Sequence, residues 1–168
     1  HYKSGAEARS TQYFNSLSAA LPTFRDDPLL HEPGTEFLYT TFGFNLLGNV
    51  LEGATNESFV ELLRQHVLRP AKMSQTVVDD QYAIIPHRTR GYIRPTKEQQ
   101  TALFGNDAST PDKLFNAPLH DTSMKIPGGG LLSTASDLVR FAIAANTGKL
   151  LNSESLQQMW TSQKTRDG

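Results

Sequence analysis

The fold is decided by the stretch Pro33-Gly34-Thr35-Glu36-Phe37-Leu38-Tyr39-Thr40-Thr41-Phe42-Gly43-Phe44-Asn45-Leu46-Leu47-Gly48. It passes from a proline-glycine turn into a helix, which the apolar spacing predicts from about Thr41 to Ala54. The buried face of this helix is predicted to consist of Phe42, Leu46, Leu47, Val50, Leu51 and Ala54. Tyr39 stands just before the helix, where unpaired backbone N–H groups and the helix dipole stabilise a nearby negative charge.

The position of Tyr39 allows two interpretations. A free tyrosine has a pKa of about 10, so it acts as a base near neutral pH only if helix N–H groups and a neighbouring lysine stabilise the phenolate. The alternative is a half-buried core tyrosine with a satisfied hydroxyl, which is the commoner use of such a residue. The residues alone leave both interpretations open.

Composition excludes several classes of function. The 168 residues carry a net charge of -1 with no basic cluster, so nucleic acid is not an expected partner. The absence of cysteine excludes disulfides, thiolate nucleophiles and cysteine-ligated metals from this chain. No apolar run approaches the roughly 20 residues of a membrane span. The five histidines lack metal-ligand spacing, so neither a metal nor an organic cofactor is predicted.

The rest of the chain is predicted to be helix-rich, with a small irregular β component. Helices are predicted over 6–20, stopped by Pro22; from an Asn56 cap to Pro70, with His66 on the apolar stripe; and over 153–160. Thr134 and Asp137 form a capping-box pattern before an apolar stripe of Leu138, Phe141, Ala142 and Ala145 that Gly148 ends. Short strands are predicted within 76–78, 89–94 and 114–116. The predicted fold class is α+β.

The glycine run Gly128 to Gly130 also has two interpretations. Three glycines can cradle a phosphate, or they can form a turn in which backbone approaches backbone closely. Because no Gly-Lys-Ser/Thr follows, the turn is the favoured interpretation. Lys125 lies beside this turn and is a candidate contact for an acidic substrate group.

Three blocks of sequence together resemble a known superfamily. They are Pro33 to Glu52, Leu68 to Thr76, and the run Gly128-Gly129-Gly130-Leu131-Leu132-Ser133-Thr134-Ala135-Ser136-Asp137-Leu138-Val139-Arg140-Phe141. In order and spacing they resemble the serine β-lactamase-like superfamily, which includes class C β-lactamases, low-molecular-weight penicillin-binding proteins, D-alanyl-D-alanine carboxypeptidases and esterases. The opening His1-Tyr2-Lys3-Ser4, together with Tyr39-Thr40-Thr41 and Lys125-Ile126-Pro127-Gly128-Gly129-Gly130, is most similar to a mitochondrial branch of this superfamily and its bacterial relatives.

The resemblance implies a fold and a chemistry. The chain is expected to be the helical subdomain of a β-lactamase and penicillin-binding-protein-like fold. Tyr39 matches the tyrosine of the family's Tyr-x-Asn element, a general base or proton shuttle, whereas Thr41 stands where many members have asparagine. Thr41, Lys125 and the three glycines are expected to bind a peptide, β-lactam or ester substrate. The threonine favours peptidase or esterase chemistry over β-lactam hydrolysis, because a hydroxyl offers fewer hydrogen bonds than an amide.

Two family elements are absent from the chain. No serine has a lysine three residues later, and Lys164-Thr165-Arg166 lacks the glycine of the family's Lys-Thr-Gly strand. Residues 1–168 are therefore expected to be one internal segment of a longer serine hydrolase that forms an acyl-enzyme, and the segment alone is expected to be inactive. The alternative is a non-catalytic binding or self-assembly module, and self-association is possible in either case. The resemblance implies a periplasmic or secreted location in a bacterium and a mitochondrial one in an animal.

Overall fold

A computed structural model describes residues 7, 9–105 and 114–166 of the chain. Within them the helices are α1 (Leu17–Ala20), α2 (Thr41–Thr55), α3 (Phe59–Leu63), α4 (Arg69–Ala71), α5 (Lys97–Phe104), α6 (Ala135–Asn146) and α7 (Ser153–Trp160). The strands are β1 (Val77–Val78), β2 (Tyr92–Ile93), β3 (Phe115–Asn116) and β4 (Leu131–Leu132). Short 3-10 turns lie at Leu21–Thr23 and Ser123–Lys125. The predicted helix-rich α+β class is confirmed.

The strands form two separate antiparallel pairs. In the first pair, β1 lies against β4 with Val77 opposite Leu132. In the second, β2 lies against β3 with Tyr92 opposite Asn116. Each predicted strand region contains one of these strands, but β4 and helix α5 were not predicted. The first pair matters most for the site, because it fixes the chain immediately after the glycine run.

The predicted helix over 6–20 is wrong across most of its length. Residues 6 and 8 lie outside the described residues, and of the remainder only Glu7 and Leu17–Ala20 are helical. The segment before α1 bonds instead to the distant 121–123 region: the Asp121 N–H donates to the Ser10 carbonyl at 2.7 Å, and the Phe14 N–H donates to the Ser123 hydroxyl at 2.8 Å. These long-range bonds use backbone groups that a helix would pair locally.

Helix α2 has the predicted extent but not the predicted buried face. Thr41, Phe42, Asn45 and Gly48 are buried, whereas Leu46, Leu47, Val50 and Leu51 are exposed. Only Phe42 was predicted correctly, and its ring stacks on Phe24 with centroids 4.7 Å apart. The inward face carries small and polar residues because neighbouring side chains approach α2 closely: a Cβ on Gly48 would lie 2.7 Å from Leu17 Cδ1 and 2.9 Å from Pro127 Cδ.

The next helical stretch differs from its prediction at both ends. Asn56 is the left-handed C-cap of α2, with φ 57°, and Ser58 is the residue that caps α3, accepting from the Glu61 N–H at 3.2 Å. Pro70 does not end the helix: a π-helical turn over Arg64–Leu68 runs without a break into α4, which contains Pro70. Because a π turn pairs residue i with residue i+5, the stretch before Pro70 lacks the regular pairing in which a proline ring meets the carbonyl four residues earlier. The left-handed Lys72 then ends α4.

The capping-box prediction for α6 is half correct. The Thr134 hydroxyl accepts from the Asp137 N–H at 3.2 Å, but the Asp137 carboxylate bonds elsewhere. Of the predicted stripe, Ala145 is buried, while Leu138, Phe141 and Ala142 are exposed.

Two small apolar clusters form the core: Ala20, Phe42 and Met124 in one, and Ala71, Met73 and Ala144 in the other. None of the helices described here is long and apolar enough to cross a membrane.

Candidate functional site

Tyr39 lies at the open N-terminal end of α2. Thr40 is the N-cap, with an extended φ of -143°, and its hydroxyl accepts from the Gly43 N–H at 3.1 Å. Gly43 lets this cap form, because a Cβ there would lie 2.6 Å from the Thr40 methyl carbon. The Tyr39 side chain is 64% exposed, directly before the cap. Its predicted position ahead of the helix is therefore observed, and its catalytic role stays a prediction.

Thr41 is placed differently from Tyr39. It is the first residue of α2 and is buried, whereas Tyr39 is exposed. The predicted contact of Thr41 with substrate stays a prediction, and the geometry gives it no direct support.

Lys125 ends the 3-10 turn that precedes the glycine run. Its N–H donates to the Thr122 carbonyl at 2.9 Å. Burial is the larger influence on Lys125 and lowers its pKa below the ordinary value, while the negative charge of Asp121 opposes part of that change. Asp121 is itself buried and accepts hydrogen bonds from both the N–H and the hydroxyl of Ser123. The turn therefore presents a lysine whose charged form is less stabilised than in water.

The three glycines have different structural requirements. Gly130 has φ +76°, and a Cβ there would lie 2.9 Å from the Thr122 carbonyl oxygen, so both conformation and space require glycine. A Cβ on Gly128 would lie 3.1 Å from Phe44 Cβ in α2. A Cβ on Gly129 would meet only Lys125 Cβ, at 3.7 Å. The run is thus a close turn against α2, as favoured from the sequence; whether it binds substrate stays a prediction.

A buried asparagine joins α2 to this turn. Asn45 is 0% exposed, and its side-chain nitrogen donates to the carbonyls of Ile126 at 3.2 Å and Met124 at 3.4 Å. These two carbonyls flank Lys125. Sequence reasoning missed Asn45, although a polar residue inside a strongly apolar helix is a visible signal.

A second buried polar residue lies away from Tyr39, at the start of α6. Asp137 is 0% exposed and accepts from the Gln75 N–H at 2.8 Å, the Thr76 hydroxyl at 2.9 Å and the Arg140 guanidinium at 2.7 Å. Burial raises its pKa, but these hydrogen bonds outweigh that effect and lower the pKa of Asp137 below its ordinary value. Asp137 therefore fixes the chain that leads into β1.

Two cavities lie elsewhere on the molecule. One, of about 460 Å³, is lined by Tyr13, Phe14, Glu52, Asp79, Asp121 and Ser123, among others. The other, of about 680 Å³, lies between the α3–α4 stretch and β1. Neither is lined by Tyr39, Thr41, Lys125 or the glycines. The candidate site, which consists of the start of α2 and the 125–130 turn, therefore lies outside these two cavities.

Comparisons with known proteins agree on one family. The family model described as Beta-lactamase matches residues 3–167. The mitochondrial serine beta-lactamase-like protein LACTB of Mus musculus is 31% identical over 163 residues, covering 88% of this chain and 27% of that protein. This chain therefore spans about a quarter of that relative.

Solved structures share the fold. A penicillin-binding protein from Bacillus halodurans superimposes with a TM-score of 0.70 at 24% identity, covering 90% of this chain and 43% of that one. A D-amino acid amidase from Ochrobactrum anthropi, complexed with D-phenylalanine, gives a TM-score of 0.69 at 21% identity, covering 88% and 41%. The described helices and strands are therefore those of part of a β-lactamase and penicillin-binding-protein-like fold.

Proposed function

The chain belongs to the beta-lactamase family, and from that premise we propose that the protein containing it is a serine hydrolase that cleaves an amide or ester bond through an acyl-enzyme. The observation that carries the proposal is the exposed Tyr39 directly before the N-cap of α2, the helix whose Asn45 bonds to the turn that bears Lys125. An amidase and a penicillin-binding protein among the solved structures of this fold support the reaction class.

The proposed reaction divides the work between this chain and a serine outside it. The serine oxygen attacks the substrate carbonyl carbon, and its proton passes through the Tyr39 phenol to the departing amine or alcohol. Water then attacks the acyl carbon and the serine oxygen leaves, releasing the acid, while a proton from that water passes through the Tyr39 phenol to the serine oxygen. Because no Ser-x-x-Lys occurs in residues 1–168, the segment alone is inactive in this proposal.

The finer substrate assignment is an acyclic amide or ester, such as a small peptide, in preference to a β-lactam. It rests on Thr41, which replaces the asparagine of many family members and has a buried hydroxyl. The turn around Lys125 and Gly129 would form one wall of the substrate cleft, since Gly129 alone among the three glycines meets no backbone or α2 atom. Carboxypeptidase and esterase activities are both included in this proposal.

The proposal is tested by labelling the full-length protein with a fluorophosphonate. We expect one serine outside residues 1–168 to be labelled, and Tyr39→Phe to lower kcat by about 100-fold, a typical contribution of a positioned proton-transfer group. Tyr92→Phe is the matched control, because Tyr92 is 60% exposed but lies in β2. Absence of a labelled serine would instead favour the non-catalytic binding or self-assembly module.

The isolated segment provides a second test. Residues 1–168 should not turn over nitrocefin, p-nitrophenyl acetate or small peptides. Turnover by the segment that Tyr39→Phe abolishes would overturn the proposal that the nucleophile lies outside this chain.

A further inference from the structure

Asn45 stands between the two parts of the candidate site. It lies in the second turn of α2, six residues after Tyr39, and its side chain is completely buried. The amide nitrogen points at two main-chain carbonyls, those of Met124 and Ile126, from a position 79 and 81 residues earlier in the chain. A single side chain therefore connects the helix that begins beside Tyr39 with the turn that bears Lys125.

The hydrogen bonds on the other side of Asn45 fix the orientation of its amide. Its side-chain oxygen accepts from the Asn49 amide at 3.1 Å, and its main-chain carbonyl accepts from the same nitrogen at 2.9 Å. With the oxygen occupied by a donor, the nitrogen must face the two carbonyls, which only a donor can satisfy. An isosteric carboxylate would place negative charge against two carbonyl oxygens.

The 125–130 turn packs closely against α2 on either side of Asn45. Gly48, one turn later, lies so near Pro127 that a Cβ would be 2.9 Å from the proline ring, and Gly128 lies against Phe44. The turn therefore rests directly on α2 at Pro127 and Gly128, while Asn45 holds the carbonyls on either side of Lys125. Since little space separates the turn from α2 at Gly48 and Gly128, a shift of the turn along the helix would break the Asn45 hydrogen bonds.

We propose that Asn45 is a positioning residue that sets the placement of Lys125 and the glycine turn relative to Tyr39, acting through the carbonyls of Met124 and Ile126. The catalytic part of this inference rests on the proposed hydrolase function. A displacement of about 1 Å between groups that share one reaction can cost about 100-fold in rate. Asn45 would thus influence turnover without touching substrate.

The first test measures kinetics in the full-length protein. Asn45→Asp should lower kcat by about tenfold to 100-fold and change KM by no more than about threefold, because proton transfer and not binding is misaligned. Asn45→Ser keeps one hydroxyl donor and should recover part of kcat. Asn152→Asp is the matched control: the same substitution at an exposed N-cap of α7, where aspartate also caps.

The pH profile distinguishes positioning from general loss of stability. The introduced carboxyl in Asn45→Asp donates a hydrogen bond only when protonated, so its kcat relative to wild type should rise as pH falls. Near-ultraviolet circular dichroism verifies at each pH that the variants are folded. A folded Asn45→Asp variant with kcat within about twofold of wild type would overturn the inference.

A distance measurement decides the inference even if the hydrolase proposal fails. Spin labels on Phe37→Cys, at an 82% exposed side chain beside Tyr39, and on Gly129→Cys report the separation of the two site segments. Residues 1–168 contain no cysteine, and any cysteine elsewhere in the protein is replaced beforehand. We expect a narrow distance distribution in wild type and a broader or displaced one in Asn45→Asp. If the distance distribution of Asn45→Asp matched that of wild type, the positioning role of Asn45 would be overturned. If the fluorophosphonate labelled no serine in the wild-type protein, only the proposed hydrolase function would be overturned.

Discussion

Asn45 and Asp137 are the two largest fully buried side chains of the described chain, and both are polar. Asn45 is a neutral amide that donates to two carbonyls, whereas Asp137 is a carboxylate that accepts from an N–H, a hydroxyl and a guanidinium. Each joins a helix to a distant loop. The molecule therefore joins a helix to a distant loop with a donor side chain in one place and with an acceptor side chain in the other. Only the link through Asp137 involves a charged group.

The largest expected effect comes from removing the charged link. Asp137→Ala leaves the Thr76 hydroxyl, the Gln75 N–H and the Arg140 guanidinium without their acceptor. Loss of one partner from a buried charged network is strongly destabilising, and we expect Tm to fall by on the order of 10 °C. Thermal unfolding followed by circular dichroism measures it, with Glu154→Ala in the first turn of α7 as control. A change no larger than that of the control would show that the network is dispensable.

Replacing Asn45, the uncharged of the two buried residues, should lower the free energy of unfolding less than replacing Asp137 does. Asn45→Ala leaves two buried carbonyls without a donor, and we expect the free energy of unfolding to fall by about 2 kcal/mol. Urea titrations of wild type and variant at the same pH measure the difference. If Asn45→Ala destabilised the protein more than Asp137→Ala, the ranking of charged over neutral links would be wrong.

Lowering the pH should affect the contribution of Asp137 to stability but not that of Asn45. The folded-state pKa of Asp137 is lowered below 3.8, so its stabilising contribution is fully present above that value and is lost as pH falls through the lowered folded-state pKa. Wild type should therefore lose Tm more steeply than Asp137→Asn as pH falls below 3.8. Asn45→Ala should retain the wild-type slope, because an amide does not titrate. Parallel curves for wild type and Asp137→Asn would contradict the lowered pKa.

The smallest effect is expected on the outward face of α2. Leu47 is 51% exposed, so Leu47→Gln in the isolated 168-residue chain should change the free energy of unfolding by less than about 0.5 kcal/mol. Urea titration measures this change. The comparison variant is Phe42→Ala, which removes a buried side chain and should destabilise the protein more. A loss above about 2 kcal/mol for Leu47→Gln would show that this face is covered in solution, as self-association would do.

The sequence predicts where helices lie better than which side they bury. The extent of α2 follows from local signals, because Thr40 and Gly43 form its cap and apolar residues continue to its end. Its buried face does not follow, because periodicity reports where apolar side chains lie and not what packs against them. In α2, the side chains of Leu17 and Pro127 leave space only for glycine at position 48, and the Ile126 carbonyl pairs with the Asn45 amide, which leucine could not replace.

The failed prediction over 6–20 has a different cause. Apolar spacing there is compatible with a helix, but the Ser10 carbonyl and the Phe14 N–H bond to residues more than 100 positions away. No local pattern reports such pairing. By contrast, helix α5 was predictable, since Thr96 and Gln99 form a complete capping box that local reasoning passed over.

The candidate site divides in the same way. Tyr39 was proposed because it precedes a helix signal and matches the tyrosine of the family's Tyr-x-Asn element, and its role stays a prediction. The glycine turn was predicted because three glycines in succession are rare in a packed chain. Asn45 was missed: a polar residue inside an apolar helix indicates a buried polar contact, but no sequence pattern identifies the main-chain carbonyls to which it bonds. Identifying those carbonyls required the fold that brings Met124 and Ile126 to α2.

The π-helical turn at Arg64–Leu68 has a consequence for chain length. A π turn holds one residue more than an α-helical turn, so it absorbs an insertion without breaking the helix. Deleting one residue between 64 and 68 would restore regular α-helical pairing before Pro70, whose ring would then meet the carbonyl four residues earlier. Among deletions of a single residue in this helix, those in the π turn should therefore be tolerated least, since the extra residue is what lets a proline follow.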